Sequence, residues 1–328
     1  MQDDKNTLNR RDALIKLLRA AGAGAGAAGL GVWLSRNSLR PEVALATTAG
    51  HGHGVPADPA LPEMAIIQGD DPALLLRQAV EELGGMRRFV SRGDIVLVKP
   101  NIGWDRTPEP AANTNPDVVA EIVRQCLGAG AKRVIVTDVS CNEARRCFQR
   151  SGIAEAAQRV GAEIILPDPS RFKDVDLKGE VLREWQIFDP FLNNVDKVIN
   201  VPIAKHHALT GATLGMKNWH GMLGGQRNQL HQKIHESLVD LADFVRPTLT
   251  VIDCYRILAR NGPTGGNLDD VLLKKTLVAS TDPVAVDAYV AKAYWNLDVD
   301  ALPYLKLAAK RGLGSYEFEK VRTRIKSL

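Results

Sequence analysis

Residues 95–138 read IVLVKPNIGWDRTPEPAANTNPDVVAEIVRQCLGAGAKRVIVTD, and their pattern predicts the fold. The apolar runs 95–98 and 133–136 are short and nearly continuous, which is typical of strands that are buried on both faces of a sheet. Between them, Pro116 lies in the first turn of a helical segment, and Gly130 ends that segment. A strand, a helix and a second strand in this order favour a parallel sheet.

The same alternation continues along the chain. Further apolar runs and helical segments follow at 154–160, 163–166, 197–201, 230–245, 249–252, 276–279 and 283–294. We therefore predict an α/β fold with a mostly parallel open sheet and helices on both faces. Two α/β lobes, residues 63–195 and 196–328, with a crevice between them, are an alternative organisation of these segments.

The first 46 residues resemble a twin-arginine signal peptide. Residues 9–16 read NRRDALIK, and an Ala/Gly-rich, weakly hydrophobic stretch follows at residues 20–34. Residues 44–46 offer a small-x-small cleavage site. Because the stretch is shorter than the roughly 20 residues of a spanning helix, we expect periplasmic export through the twin-arginine translocation machinery, with no stable membrane insertion after cleavage. A basic amphipathic helix or an uncleaved membrane anchor is the alternative.

The rest of the chain carries little net charge. Of the 328 residues, 45% are hydrophobic and 24% are charged, as in ordinary globular proteins. Residues 1–46 contribute a net charge of +3 and the remainder contributes +1. No run of Lys and Arg with interleaved aromatic residues occurs, so we predict no nucleic-acid partner. Residues 47–62 are rich in Gly, Pro and Ala and predict a flexible linker, which leaves residues 63–328 for the α/β domain.

Polar residues follow most of the predicted strands. In an open parallel sheet the ligand crevice lies at the carboxyl ends of the strands, so these side chains are expected to converge on one place. They are Lys99, Asn101, Asp138, Lys205, His206, Asp253 and Asp282.

Residues 201–235 hold most of the candidate site and read VPIAKHHALTGATLGMKNWHGMLGGQRNQLHQKIH. Five of the chain's seven histidines lie here, together with Lys205, Lys217, Asn218, hydroxyls and several glycines. This combination suits a small anionic ligand such as a carboxylate or a phosphate. The predicted catalytic residues are Lys205, His206, His207 and Lys217, where a desolvated lysine would act as a base. The predicted ligand-binding residues are Lys99, Asn101, Thr210, Asn218, Gly265 and Gly266. A solvated surface loop is the alternative for this stretch.

Two of the predicted ligand-binding residues are glycines of a separate turn. Gly265 and Gly266 lie in NGPTGGN, residues 261–267, which lacks the Lys-Ser/Thr of a nucleotide-binding loop. A tight structural turn and a phosphate cradle are both consistent with this segment.

A divalent metal site is a further interpretation of the histidines. His231 and His235 are four residues apart on a predicted helix, and this spacing suits two metal ligands on one face. The candidate ligands are His220, His231, His235, Asp253 and Asp282. A pair of acid–base histidines is the competing interpretation.

The four cysteines leave several chemistries open. No CxxC occurs, and Cys126 lies among apolar residues, where we expect it in the core. Cys141 and Cys147 could form a disulfide in an oxidising periplasm. Together with Cys254 they could instead ligate an iron–sulfur cluster, or all three could be free thiols.

Four ordered motifs resemble the family of the domain of unknown function 362. They are VPIAKHHALTGATLGMKNWHG at 201–221, the pair His231 and His235, IDCYRILARNGPTGG at 252–266 and STDPVAVD at 280–287. The resemblance extends from about Ile95 to about Ala293 and implies a fold and a site more than a reaction. Many members of that family carry an added ferredoxin-like cysteine array, which this chain lacks. A fainter resemblance is to nickel-dependent lactate racemases, in which histidines and a lysine serve a two-domain α/β crevice.

These observations lead to three hypotheses of function. The first is an exported α/β protein that binds a small anionic ligand, with metal-dependent acid–base chemistry of the racemase, lyase or hydratase type. The second is a redox or maturation protein that carries an iron–sulfur cluster. The third is a periplasmic binding protein without catalytic activity.

Overall fold

The structure is a computed structural model that describes residues 52–192 and 194–328. These residues belong to one compact unit. The predicted signal peptide and cleavage site, and the first residues of the predicted linker, lie outside the described residues. Within the described part of the chain, no helix has both the length and the apolar composition that crossing a membrane requires.

Strands and helices alternate through most of this unit. The strands of the described residues are β1 (Met64–Gln68), β2 (Ile95–Pro100), β3 (Arg133–Val136), β4 (Glu163–Ile164), β5 (Phe172–Asp176), β6 (Glu184–Phe188), β7 (Lys197–Val201), β8 (Ile203–His207), β9 (Gly211–Thr213), β10 (Leu249–Leu258), β11 (Val271–Ser280) and β12 (Thr323–Ser327). The α-helices are α1 (Pro72–Glu82), α2 (Pro116–Ala129), α3 (Ala144–Arg150), α4 (Ile153–Arg159), α5 (Gly215–Asn218), α6 (Ile234–Val245), α7 (Pro283–Trp295) and α8 (Pro303–Lys310).

One large sheet has the strand order β12-β1-β11-β10-β7-β2-β3-β4. All neighbours in this order pair in parallel except β11, which is antiparallel to both β1 and β10. Strand β8 continues beside β10 and pairs with β9, while β5 and β6 form a separate antiparallel hairpin. Strands from both of the predicted lobes share the large sheet, since β1 lies between β11 and β12, and β7 pairs with β2.

Two hydrophobic cores cover opposite faces of the sheet. In β2, Val96 and Val98 pack with the apolar side chains of α1 and α2, whereas Leu97 packs in the core that contains α6 and α7. This alternation follows from the period of two along a strand. The predicted α/β fold, a mostly parallel sheet with helices on both faces, is therefore confirmed.

Short polar side chains begin the main helices. Asn115 accepts a hydrogen bond from the backbone N–H of Asp117 at 3.0 Å at the start of α2. Asp282 accepts hydrogen bonds from Val284 and Ala285 at the start of α7, at 2.9 and 2.8 Å. Each cap is followed by a proline, whose missing N–H costs nothing in the first helical turn. These caps fix the residues at which α2 and α7 begin. The loop after β2, at the carboxyl end of that strand, therefore enters α2 in a defined geometry.

Candidate functional site

A cavity of ≈ 190 Å³ lies at the carboxyl ends of β2 and β3 and beside β8. It is lined by cationic side chains and by imidazoles. The cationic residues are Lys99, Lys205, Lys217 and Arg227, and the histidines are His207, His220 and His231. Asp138 is the single acidic residue among the described residues that line it. The cavity wall is therefore electropositive.

Lys99 forms the innermost ion pair of the site. Its side chain is fully buried at the end of β2, and its Nζ lies 2.8 Å from Oδ1 of Asp138. The same Nζ donates to Oδ1 of Asn218 at 2.8 Å and to the carbonyl of Pro100 at 3.1 Å. Burial lowers the pKa of Lys99, and the carboxylate of Asp138 opposes that shift. Two hydrogen bonds and the ion pair with Asp138 thus hold this ammonium group in place.

Asn218 connects the strands that surround Lys99. Its Nδ2 donates to the carbonyl of Lys99 at 3.1 Å and to Oδ1 of Asn200 at 2.9 Å. Its Oδ1 accepts from Lys99 and, at 3.0 Å, from Nδ2 of Asn101. All of the hydrogen-bonding groups of this amide are used, so its orientation is fixed.

Lys205 is held on the opposite side of Asn101. Its Nζ donates to Oδ1 of Asn101 at 2.9 Å and to the carbonyl of Ala112 at 2.7 Å. Burial lowers the pKa of Lys205 to about 7, and the neighbouring charges of Lys217 and Lys99 contribute in the same direction. This amine is fixed in position and lies near the balance between its two protonation states.

Lys217 lies in the short helix α5 and is only 8% exposed. Within residues 52–192 and 194–328, its Nζ has no hydrogen-bond acceptor and no ion-pair partner. Burial, with a smaller contribution from the charge of Arg227, lowers the pKa of Lys217 to about 8. Asp287 holds α5 in place, because its carboxylate accepts from the backbone N–H groups of Gly215 and Met216 at 2.7 and 3.0 Å.

The histidine rings differ in the nitrogen that carries the proton. Nδ1 of His207 accepts from the backbone N–H groups of Leu209 and Thr210 at 3.2 and 3.3 Å, so a neutral ring carries its proton on Nε2. Nδ1 of His231 lies 3.0 Å from the carbonyl of Asn228, which only accepts, so this nitrogen carries the proton and Nε2 is free to accept. His207 therefore offers a donor, Nε2–H, and His231 offers an acceptor, Nε2.

The same two rings lie close together. Their planes are nearly parallel, at 6°, with ring centroids 6.2 Å apart. Burial, followed by the charge of Lys217, lowers the pKa of His207 to about 3, so the ring is neutral at pH 7. His220 meets His231 edge to face at 5.8 Å, and its buried Nε2 has no partner in the described part of the chain. Burial lowers the pKa of His220 well below its usual value.

Arg227 closes the rim of the cavity. Its guanidinium donates to the carbonyls of Val139 and His220 at 2.7 and 3.2 Å, and also to the carbonyl of Ser140. It lies 3.7 Å from Sγ of Cys141. The segment after β3 is therefore tied to the segment after α5. No sequence pattern indicated Arg227, since it lies outside both strand ends and histidine spacings.

Most of the predicted lysine, amide and histidine positions meet at this cavity. Those that line it are Lys99, Asn101, Lys205, His207, Lys217, Asn218, His220 and His231. His206 and Thr210 do not. His206 points to the other face of β8 from its two neighbours, and its Nδ1 accepts from the N–H of Gly262 at 3.3 Å. Thr210 donates through Oγ1 to Ala212 at 2.9 Å and positions His207 through its backbone.

The predicted glycine pair also lies elsewhere. Gly265 and Gly266 have φ of +63° and +137°, conformations that favour glycine, and Gly265 packs against Pro110 and Ala112. Gly266 borders a separate surface depression beside Arg106. The segment acts as a tight turn next to the site, and its Pro263 lines the cavity whereas the two glycines do not.

The five predicted metal ligands do not form one centre. No group of three His, Cys, Asp or Glu side chains in residues 52–192 and 194–328 is arranged to hold a metal ion. His235 stacks on Tyr304 with ring centroids 6.2 Å apart. His231 belongs to a 3₁₀ segment and His235 to α6, so the expected spacing along one α-helix does not apply.

The two predicted acidic ligands have structural roles. Asp253 lies within β10, where its carboxylate accepts from the N–H groups of Asn115 and Tyr255 at 2.8 and 3.0 Å. Asp282 follows β11, which runs antiparallel to its neighbours, so its end lies at the opposite edge of the sheet. There it caps α7 and accepts from the N–H of Ser315 at 2.8 Å.

The cysteines form neither the predicted disulfide nor a cluster site. All four are free thiols, and only Cys141 is exposed. Cys147 lies in the core and its Sγ contacts the carbonyl of Gly103 at 3.9 Å. Cys254 is buried within β10, and burial raises the pKa of its thiol well above the usual value. The apolar surroundings of Cys126 also agree with its expected core position.

This α/β unit with a cationic, histidine-rich cavity at its sheet edge corresponds to a described family. The chain belongs to the family described as domain of unknown function (DUF362), whose model matches residues 96–292. It is 29% identical, over 257 residues, to a thylakoid-associated protein of Synechocystis sp., covering 73% of this chain and 74% of that protein.

Two solved structures show likeness to the chain. A protein from Thermotoga maritima aligns with a TM-score of 0.39 and 12% identity over 74% of this chain and 60% of that one. The lactate racemase apoprotein from Thermoanaerobacterium thermosaccharolyticum aligns with a TM-score of 0.44 and 10% identity over 70% of this chain and 56% of that one. The chain thus spans less than two thirds of either solved protein.

Proposed function

We propose that the cavity binds a small carboxylate and transfers a proton at the carbon atom beside it. The observation that carries this proposal is the imbalance of charge, because three lysines and an arginine face one carboxylate, which Lys99 already neutralises. An anion that enters the cavity restores that balance. The volume of ≈ 190 Å³ lies below the roughly 300–1,000 Å³ of sites for drug-sized ligands, which favours a small anion.

The two lysines other than Lys99 would hold the anion. Lys205 uses two acceptors, which leaves one donor of its ammonium form for a ligand oxygen. Lys217 has all of its donors available within the described residues. A bound negative charge also favours the protonated form of both amines, which strengthens the interaction.

The histidines would move the proton. Nε2 of His231 is free to accept a proton from the ligand. The ring of His207, whose centroid lies 6.2 Å from that of His231, offers Nε2–H as a hydrogen-bond donor. A base and a neutral hydrogen-bond donor in one cavity support proton abstraction beside a carboxylate, as in reactions of the racemase, lyase or hydratase type. The neutral state of His207 at pH 7 makes it a hydrogen-bond donor without adding charge.

Titration calorimetry with small mono- and dicarboxylates tests the binding step. We expect one carboxylate to bind, and we expect Lys217→Met to weaken its binding at least tenfold. Lys310→Met is the matched control, because Lys310 is exposed at the end of α8, and it should bind as the unaltered protein does. If no carboxylate binds, the proposed function is rejected.

Proton NMR in D₂O tests the catalytic step. For a carboxylate that binds, we expect enzyme-dependent exchange of the hydrogen on the carbon next to the carboxyl group. Binding without any exchange or conversion would instead establish a non-catalytic binding protein.

We also propose that this chemistry takes place in the periplasm. The support is the NRRDALIK motif at residues 9–16 and its following Ala/Gly-rich stretch. Replacing both arginines, Arg10→Lys with Arg11→Lys, should retain the protein in the cytoplasm, whereas Lys5→Arg should not. Unchanged fractionation of the double variant would reject this route.

A further inference from the structure

The three cavity lysines differ in the number of acceptors around Nζ. Lys99 has three and Lys205 has two, whereas Lys217 has none among the described residues. All three are nevertheless at most 8% exposed. The amine of Lys217 has no acceptor within the described residues and faces the cavity, so water or a ligand must occupy its donors. Such a group calls for a chemical role.

A free and desolvated lysine amine is suited to nucleophilic attack. The amine must be neutral to attack, and burial next to other cations favours the neutral form. Lys217 meets these conditions, since it faces the cavity, and burial followed by the charge of Arg227 lowers its pKa to about 8. A substantial fraction is therefore neutral at slightly alkaline pH.

We propose that Lys217 forms an imine with the carbonyl carbon of a small 2-oxo acid. The proposal rests on the carboxylate-binding function above and names the substrate class of the same cavity. Nζ adds to the carbonyl carbon, so that a C–N bond forms and the carbonyl oxygen takes up a proton. Loss of that oxygen as water, with the remaining nitrogen proton, gives the C=N bond, and no other reactant is consumed.

The neighbouring side chains supply the protons that these steps need. Nε2 of His231 accepts a proton from nitrogen and returns it to the carbonyl oxygen, while Nε2–H of the neutral His207 stabilises that oxygen through a hydrogen bond. Lys205 keeps one donor for the adjacent carboxylate. Once the imine nitrogen has taken up a proton from water, the C=N group draws electrons from the neighbouring C–H bond, which makes the proton transfer proposed above easier.

The hydrogen bonds decide between the two candidate lysines. An imine on Lys205 would withdraw N–H donors from Asn101 and from the buried carbonyl of Ala112. Leaving such groups unpaired costs roughly 1–3 kcal/mol each. An imine on Lys217 breaks no hydrogen bond within the described residues, so Lys217 is the favoured nucleophile.

Borohydride trapping tests this assignment on the full chain. The protein is incubated with pyruvate, glyoxylate or 2-oxobutyrate at pH 8, reduced with sodium borohydride and mapped by peptide mass spectrometry. We expect one adduct, on Lys217, heavier by the mass of the oxo acid less one oxygen atom. Lys217→Arg, which keeps the charge, should lose the adduct, and Lys310→Met should keep it. The mapped position in the unaltered protein stands independently of whether either variant folds.

The outcomes separate this inference from the proposed function. If an oxo acid binds by calorimetry but no adduct forms on Lys217, the imine is rejected and carboxylate binding remains. An adduct on Lys205, or adducts spread equally over surface lysines, would also overturn the assignment. If no carboxylate of any kind binds, both proposals fail together.

Discussion

The buried aspartates and the cavity lysines are equally hidden from water but differ in their hydrogen bonding. The carboxylates of Asp240, Asp253 and Asp287 each accept from two or more backbone N–H groups. Nε2 of His220 has no partner in the part of the chain that the structure describes, and the amine of Lys217 faces the cavity without a protein acceptor there. Burial alone therefore does not distinguish a functional group from a structural one.

The difference lies in the remaining bonding capacity. A carboxylate whose oxygens are used by the backbone holds loops and helix ends in place, and a ligand can gain little from it. An amine or imidazole that is buried and unused contributes nothing to the fold and lowers its stability. Unused capacity around a cavity is thus a better indicator of a candidate site than burial, and the carboxylates of Asp253 and Asp282 are already used by backbone N–H groups.

The largest effect should come from removing the proposed base. His231→Gln should reduce proton exchange on a bound carboxylate by a factor on the order of 10²–10⁴, the usual contribution of a general base. The matched control is His235→Gln, because His235 stacks on Tyr304 away from the cavity and should leave exchange unchanged. Equal losses in both variants would contradict the assignment of His231, and not His235, as the base.

The next largest effect is expected for Asp287, whose two carboxylate oxygens both accept from backbone N–H groups. Asp287→Ala leaves the buried N–H groups of Gly215 and Met216 without acceptors, which should cost about 3 kcal/mol of unfolding free energy. Asp287→Asn keeps one acceptor oxygen but turns an NH₂ toward the other backbone N–H, so it should cost less than the alanine change, about 2 kcal/mol. Urea unfolding measures both. An alanine variant as stable as the unaltered protein would refute the structural role.

A smaller effect of opposite sign is expected for Lys217. Its pKa is lowered from 10.5 to about 8 in the folded protein, so between these values the unfolded chain binds the additional proton and stability rises with pH. At pH 7 the buried charge therefore destabilises the folded state, and Lys217→Met should raise the unfolding free energy by on the order of 2 kcal/mol. Calorimetric unfolding should show this gain vanishing as the pH approaches 10.5. A gain that is independent of pH, or equal in Lys310→Met, would contradict the cause given.

The smallest effect is expected at the rim. Cys141 is the exposed thiol and lines the cavity, whereas Cys126, Cys147 and Cys254 are buried. Iodoacetamide should label Cys141 first in the folded protein, and a bound carboxylate should slow that reaction a few-fold. Peptide mapping checks this, with Cys141→Ser as the control. If a bound carboxylate does not change the rate of labelling, the anion binds elsewhere.

The fold and much of the site were accessible from sequence because they depend on local patterns. Near-continuous apolar runs between helical segments specify a covered parallel sheet, and residues that end parallel strands, such as Lys99, meet at one edge. The density of histidine and glycine around Lys217 marked the remaining wall of the cavity.

The errors come from features that no local pattern records. The direction of β11 is set by its pairing with β1 and β10, and it moved Asp282 to the opposite edge. The 3₁₀ geometry before α6 separated His235 from His231. Arg227 reaches the rim through contacts with residues about 90 positions away, which spacing cannot indicate.

The amide of Asn218 has a consequence for how the protein would discriminate among ligands. By donating to Lys99 and Asn200 and accepting from Lys99 and Asn101, it locks the floor of the cavity before any ligand arrives. The entropy cost of ordering this floor is met during folding and not during binding. A ligand must therefore match the existing spacing of the amines. Selectivity for ligand length would then reside in the sheet itself and not in the closure of a lid.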